Sequence, residues 1–179
     1  VHCPAEGANL RGLQAALHPL KERMISFDLG RYTFQLRAAA IFRSNGRVLL
    51  HRLEGDDYWS LPGGRVEPGE DAATTVVREM QEELGEAVTC GELACVVENF
   101  FEVRGKRHHE IGLYLLASFG HDAKLLDITR SHAGVEGDRR LEFRWFAITQ
   151  LADVDVRPSF LRQALAEPGL RFQHAVHHG

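Results

Sequence analysis

The sequence predicts an α/β fold in which a mixed β-sheet is flanked by helices. Three observations carry this. Apolar and aromatic runs punctuated by turn signals lie on both sides of one strongly amphipathic helix pattern. A second, shorter helix pattern closes the series. The composition, 44% hydrophobic and 26% charged over 179 residues, is that of a single globular domain with a real core.

The elements follow in order. Residues 1–23 share little with what comes next. Leu10, Leu13, Leu17 and Leu20 have rough helical spacing, but Gly12 and Pro19 interrupt it and are poor helix residues. The folded domain is expected over 24–166, with residues 1–23 an appendage or an over-extended start. Residues 25–27 and 31–42, rich in aromatic and apolar residues, read as strand. Ser44-Asn45-Gly46 is a turn signal, and 48–52 returns as the second arm of a hairpin. Residues 58–61 are short and extended, and lead into Pro62-Gly63-Gly64. Over 71–84 the residues Ala73, Val76, Val77, Met80 and Leu84 fall on one helical stripe. Glu70 and Asp71 stand where negative charge suits a helix start, and Gly85 where a helix stops. Residues 93–102, 110–119 and 141–148 read as strands, 120–139 as a long polar loop, 149–153 as a turn of helix, and 159–166 as a short helix. The tail 167–179 is expected to fray, which leaves His174, His177 and His178 without a role.

Composition excludes several classes. Lys and Arg number 21 against 25 Asp and Glu, a net charge of −4, which argues against binding a nucleic-acid polymer through a broad basic surface. A small phosphate-bearing ligand needs only a local site. No run approaches the ~18 apolar residues of a membrane span, and the start lacks a signal pattern, so a cytoplasmic, membrane-free protein is the expectation. Cys3, Cys90 and Cys95 are odd in number and lack a CxxC spacing, and read as free thiols. If 90–95 is extended, Cys90 and Cys95 point to opposite faces.

The helix over 71–84 also carries Glu79, Glu82 and Glu83 on a face away from the apolar stripe. Their mutual repulsion favours either a solvated acidic face or a bound cation. Mg²⁺, a hard ion, takes carboxylates together with water and substrate phosphates. The run from Gly64 through Glu70 and Arg78-Glu79-Met80-Gln81-Glu82-Glu83-Leu84-Gly85 resembles the Nudix box, G-x5-E-x7-R-E-U-x-E-E-x-G-U, in which U is apolar. All seven fixed letters match. At a usage of roughly 6% per letter, a chance match at a given start is on the order of 10⁻⁹ to 10⁻⁸. Glu86 occupies the last apolar position and is the one departure. Trp59-Ser60-Leu61-Pro62-Gly63-Gly64 resembles the lead-in often found before this box, and Phe143-Arg144-Trp145-Phe146 with Ile148 and Leu151 resembles the strand and short helix that close the domain.

The resemblance implies a Nudix-type α/β/α sandwich with a mixed sheet and the Nudix loop-helix motif. It implies a hydrolase that uses water and Mg²⁺ or Mn²⁺ to cut a phosphoanhydride bond in a nucleoside diphosphate linked to X. By motif position Glu79, Glu82 and Glu83 are the expected metal ligands, joined by the Gly63 carbonyl, and Glu79 or Glu82 is the expected catalytic base, Glu79 being favoured. Gly64, Glu70, Arg78 and Gly85 are expected to be structural, with Glu70 and Arg78 paired. Arg52 and Glu136 are candidates for substrate contact. Glu136, Glu98, Glu102 and Glu110 are candidates for a further ligand or base from outside the box. His108 and His109 are expected at the surface.

Substrate markers are sparse. The Pro and Tyr that follow the box in ADP-ribose and dinucleoside-polyphosphate relatives are absent, and Phe100 and Phe101 stand there instead. Nucleoside di- or triphosphates, damaged nucleotides and nucleotide sugars remain, with free nucleotides favoured. Phe100, Phe101, Trp59 and Trp145 are candidates to stack a base, though a core position is the commoner fate of each. A homodimer is left open. The alternative is a non-catalytic nucleotide-sensing module of the same fold, but such modules often lose box glutamates that this chain keeps.

Overall fold

The computed structural model describes residues 24–167 and 172–179, so the expected appendage 1–23 lies outside the described residues. Strands β1 (Ser26–Leu29), β2 (Tyr32–Ser44), β3 (Arg47–Leu53) and β4 (Gly63–Arg65) precede helix α1 (Ala72–Leu84). Strands β5 (Val88–Val103), β6 (Lys106–Phe119), β7 (His132–Glu136) and β8 (Arg139–Ala147) follow it, then helix α2 (Leu161–Ala164) and strand β9 (Gln173–His178). The sheet runs β7-β8-β3-β2-β6-β5-β9, with β1 and β4 also paired to β2. The β2–β6 and β5–β9 pairs are parallel and the others antiparallel, so the sheet is mixed as expected.

Alternation along β2 builds a core on each side of the sheet. Ala38, Ala40 and Phe42 pack with Val76 and Met80 of α1 and with Phe143 and Trp145 of β8. Ala39 and Ile41 point the other way, toward Trp59, Tyr114, Leu151 and Leu161. Helix α1 starts at Asp71, whose side chain accepts from Thr74 N at 2.7 Å. It ends at Gly85, left-handed at φ 68°, a conformation in which Cβ would be penalised. Glu86, at the departing motif position, is half-buried, and its Oε1 accepts from Lys124 N, 38 residues further along the chain, at 3.2 Å. Cys90 packs on the α1 side and Cys95 on the other, across two register shifts in β5 that together leave the two residues facing opposite ways.

Three expectations need correction. The segment 120–139 is not all loop. It holds a 3-10 turn at Lys124–Leu126 and strand β7, whose His132 and Gly134 are buried against β8. Five residues interrupted by a glycine show little period-two signal on their own. The tail does not fray: β9 pairs along β5 from Cys95↔Gln173 to Phe100↔His178. Its sequence, Gln-His-Ala-Val-His-His, is too polar to look like a strand, because as an edge strand it buries little. Finally, α1 does not expose its acidic residues together. Glu79 and Glu83 are buried, whereas Val77 of the predicted apolar stripe is 41% exposed.

Candidate active site

The site begins where β2 and β3 part. Their pairing is confined to Arg43↔Val48 and Ser44↔Arg47. Beyond that the two strands diverge, and residues 59–64 enter the gap. Ser60 bridges to His51 of β3 on one side, while Gly63 and Gly64 pair with Ala39 and Ala38 of β2 on the other. Both glycines are required, for different reasons. Gly63 has φ +141°, and a Cβ there would lie 2.3 Å from the Ala38 carbonyl oxygen. Gly64 has an ordinary φ, but its Cβ would lie 2.0 Å from Glu79 Oε1. The carboxylate of Glu79 therefore rests on the bare Cα of Gly64.

Arg78 ties the loop before the helix to the helix itself. Its Nε and Nη2 donate to the two oxygens of Glu70 at 2.8 and 3.1 Å, and Nη2 also donates to the Arg65 carbonyl at 3.1 Å. Nη1 donates to Glu79 Oε1 at 2.9 Å and to Glu82 Oε2 at 3.2 Å. Glu70 also accepts from Glu67 N and Thr75 Oγ1, and the Arg78 guanidinium holds its carboxyl below the usual value. Of the three helix glutamates, Glu79 is buried beside Arg78, Glu82 is exposed at the rim, and Glu83 is buried facing His51.

Glu83 is the strained member. Its Oε2 is buried without a hydrogen-bond partner, as is His51 Nδ1, and the two are 3.7 Å apart, too far for a hydrogen bond. Burial, reinforced by the neighbouring Glu79, pushes the Glu83 carboxyl up to about 9. Burial also drives His51 down to about 3, the Arg37 charge adding to the effect. Burial raises Glu79 as well, against the pull of Arg78 and Arg37. An unpaired buried carboxylate is costly unless it binds a proton or a cation. Two buried carboxylates, one at the rim and a nearby backbone carbonyl are hard oxygen donors, the chemistry that suits Mg²⁺ or Mn²⁺. Among the described residues no three His, Cys, Asp or Glu side chains already converge as a metal-holding group. Arg78 bridges Glu79 and Glu82, and the Gly63 carbonyl accepts from Arg37 Nη2 at 2.7 Å, so a cation must displace or share these contacts.

Glu83 and Gly63 open onto a cavity of about 670 Å³, within the range of small-ligand sites. Arg52 lines it, but its Nε and Nη2 donate to Glu142 at 3.0 and 2.8 Å, and its guanidinium lies 4.5 Å over the Trp59 ring. Glu136 of β7 also lines the cavity, and its charge adds to the rise of the Glu83 pKa. Of the other glutamates, Glu102 and Glu110 line the cavity, while Glu98 pairs with His174 at 2.8 Å. Phe101 lines the cavity, stacked on His108. Phe100 lies between His109 and His178. Trp59 and Trp145 are buried in the two cores, Trp145 donating to the Leu125 carbonyl at 2.6 Å. His108 and His109 are half-buried, each with one ring nitrogen inaccessible and unpartnered.

Sequence reasoning passed over His51, Arg37 and Asn99, and gave His177 no role because the tail was expected to fray. Arg37 had a visible signal: it is the one charge in the run Leu36-Arg37-Ala38-Ala39-Ala40-Ile41. The others are ordinary strand residues until the sheet places them around the cavity.

A model of the NUDIX domain matches residues 34–166. The chain is similar to the CTP pyrophosphohydrolase of Escherichia coli (strain K12), with 37% identity over 75 residues, 40% of this chain and 54% of that protein. It is similar to a MutT-like protein of Streptomyces ambofaciens, with 40% identity over 62 residues, 35% of this chain and 40% of that one. The chain spans about half the length or less of these curated relatives. In fold it resembles the MutT protein from Methanosarcina mazei Go1, with a TM-score of 0.55 and 23% identity, covering 76% of this chain and 92% of that one. Among the described residues no helix is long and apolar enough to cross a membrane.

Proposed function

We propose that this chain, which belongs to the NUDIX domain family, is a divalent-cation-dependent hydrolase. It cleaves a phosphoanhydride bond in a nucleoside diphosphate derivative, with free nucleoside di- or triphosphates favoured over nucleotide sugars. The observation that carries this reading is Glu83, the one box glutamate that lines the cavity. Gly64 seats the Glu79 carboxylate, and Glu83 presents an unpartnered buried oxygen beside a 670 Å³ space. The relative named CTP pyrophosphohydrolase supports a free nucleotide as substrate.

Glu79, Glu82 and Glu83 would hold the cation, with the Gly63 carbonyl as a fourth donor. Bound there, Mg²⁺ or Mn²⁺ supplies charge neutralisation for the phosphates and a more acidic water. The chain's own residues do the rest. Arg78 holds Oε1 of Glu79, leaving Oε2 to take the proton of the attacking water. The new P–O bond forms as the bridging P–O bond breaks, and the leaving phosphate departs as an anion. Arg37, half-buried in the cavity lining, carries a charge that acts on both Glu79 and Glu83 and limits the local negative charge that a phosphate must meet.

The test is hydrolysis of a panel of nucleoside triphosphates, nucleotide sugars and ADP-ribose with Mg²⁺, run beside Glu82→Gln and Glu83→Gln. Wild type should release phosphate or pyrophosphate from at least one free nucleotide, and each variant should lose about 100-fold in rate. Tight binding without hydrolysis would replace the enzyme with a nucleotide-binding module. Full activity in Glu82→Gln would overturn the assignment of the ligands.

A further inference from the structure

The C-terminal strand brings one more group to the cavity. The register places His177 of β9 beside Asn99 of β5, Asn99 beside Glu110 of β6, and Glu110 beside Gln35 of β2. These four side chains form one row across four strands, and all four line the cavity. Ser159, in the turn before α2, reaches His177 Nε2 at 2.9 Å and lines the same space.

The chemistry of Glu110 orders the row. Glu110 is 5% exposed and, among the described residues, has no cation within ion-pair distance. A carboxylate only accepts, so Gln35 Nε2 donates to one oxygen and Asn99 Nδ2 to the other. Asn99 Oδ1 is thereby turned toward His177 Nδ1, at 2.9 Å. That oxygen needs a donor, so the imidazole carries its proton on Nδ1. Nε2 is then an acceptor and takes the Ser159 hydroxyl hydrogen. Glu110 thus sets which way the row points, and the Asn99–His177 bond, at 2.9 Å against 3.4 Å for Asn99–Glu110, holds the Asn99 amide in place. What the row still offers a ligand is the second N–H of Asn99 next to the spare lone pairs of Glu110, a donor beside an acceptor.

Position matters too. Gln35 lies two residues, about 7 Å, along β2 from Arg37, whose guanidinium reaches the Gly63 carbonyl at the box. Phe101, two residues from Asn99 on the same face of β5, adds an aromatic surface beside the row. A ligand with its phosphates at the box would lay its ring against these groups.

We propose that the row Gln35–Glu110–Asn99–His177 reads the polar edge of the substrate's nucleobase, and that His177 is the positioning residue that fixes the Asn99 amide in its reading orientation. This rests on the nucleotide reading of the cavity given above. With His177 in place, Asn99 shows an N–H beside the Glu110 carboxylate in one fixed order, which separates base edges with a ring acceptor beside an exocyclic N–H (adenine, cytosine) from those with an exocyclic acceptor beside a ring N–H (guanine, uracil). Without it the amide is released and the selection relaxes. The C-terminal strand is then part of the specificity apparatus.

The experiment compares kcat/KM for ATP, GTP, CTP and UTP in wild type, His177→Ala and His177→Asn, with thermal melts of each. Wild type should spread over about tenfold or more between best and worst base, the value of one well-placed hydrogen bond. In His177→Ala the spread should collapse to within about threefold, through KM more than kcat. His177→Asn, which can still donate from the position of Nδ1, should restore much of it. ¹⁵N spectra of the imidazole should place the His177 proton on Nδ1. An unchanged spread in a folded His177→Ala, or a proton on Nε2, overturns the proposal. If His177→Ala does not fold, Asn99→Ala serves in its place: it removes the reading amide, the spread should collapse likewise, and an unchanged spread overturns the proposal. If wild type hydrolyses none of the four, a ribonucleoside triphosphate is not its substrate, and hydrolysis of the wider panel above tests the hydrolase reading separately. Calorimetric binding of the same nucleotides with Mg²⁺ then decides the row: base-dependent binding that His177→Ala flattens upholds it, and its absence overturns it.

Discussion

Replacing Gly64 with alanine isolates the seat of Glu79. The backbone at Gly64 tolerates a side chain, so the penalty is purely one of space. The new Cβ would lie 2.2 Å from Glu79 Cδ and 2.0 and 2.7 Å from its two oxygens. Carbon–carbon contacts are optimal near 3.5 Å, so Cβ is about 1.3 Å too close. The obstruction is the end of a flexible side chain, and the cheapest relief is for Glu79 to swing out. That breaks its bond to Arg78 and moves the carboxylate by more than 1 Å. A displacement of about 1 Å in a catalytic group costs about 100-fold in rate, while the fold should lose only about 1–2 kcal/mol. Gly63→Ala is the control of opposite character. There the contacts are backbone, 2.3 Å from Ala38 O and 2.6 Å from Ala39 Cα, at a positive φ, so stability itself should fall by about 2 kcal/mol or more. The assays are kcat/KM on the best nucleotide, calorimetric Mn²⁺ binding and urea denaturation. A Gly64→Ala protein with kcat/KM within about threefold of wild type, and unchanged Mn²⁺ affinity, would refute the reasoning.

Other consequences are equally direct. Met80 is fully buried between α1 and the sheet, so Met80→Ala should cost about 2–5 kcal/mol in urea denaturation. Glu70 is held below its usual 4.5 by Arg78. Its stabilising contribution is complete above pH 4.5 and is lost as pH falls through the lowered folded value. Glu70→Gln should therefore be less stable than wild type at neutral pH, and the gap should close on acidification, as followed by melts between pH 7 and 3. Removing divalent cations with EDTA should abolish hydrolysis and lower the melting temperature of the cation-saturated protein. Restoring Mg²⁺ or Mn²⁺ should reverse both, the thermal shift following mass action on the folded state.

Much of the box was legible because its chemistry is local. Glu70 and Arg78 meet because eight residues of loop and helix bring them together, and Asp71 and Gly85 cap the helix by their own conformations. Gly64 and Glu79 were legible as a pattern, but the contact between them was not, since it depends on β4 lying against α1. The burial of Glu83 and Glu79 was also hidden. A helical wheel separates apolar from acidic positions, and it cannot know that β4 and β7 cover the acidic side.

The same division runs through the whole molecule. Local physics, written in the order of residues, sets the alternating strands, the amphipathic helix with its caps, the turns and the spacing of the three glutamates. The cavity has no such local origin. It exists because β2 and β3 diverge after two residue pairs, and it acquires its polar row because strands distant in the chain fall into register. His177 shows the limit most plainly. In the sequence it is one histidine in a polar tail. Next to Asn99 it becomes a donor of fixed direction, because the order of strands in the sheet chooses its neighbour and that neighbour chooses its proton.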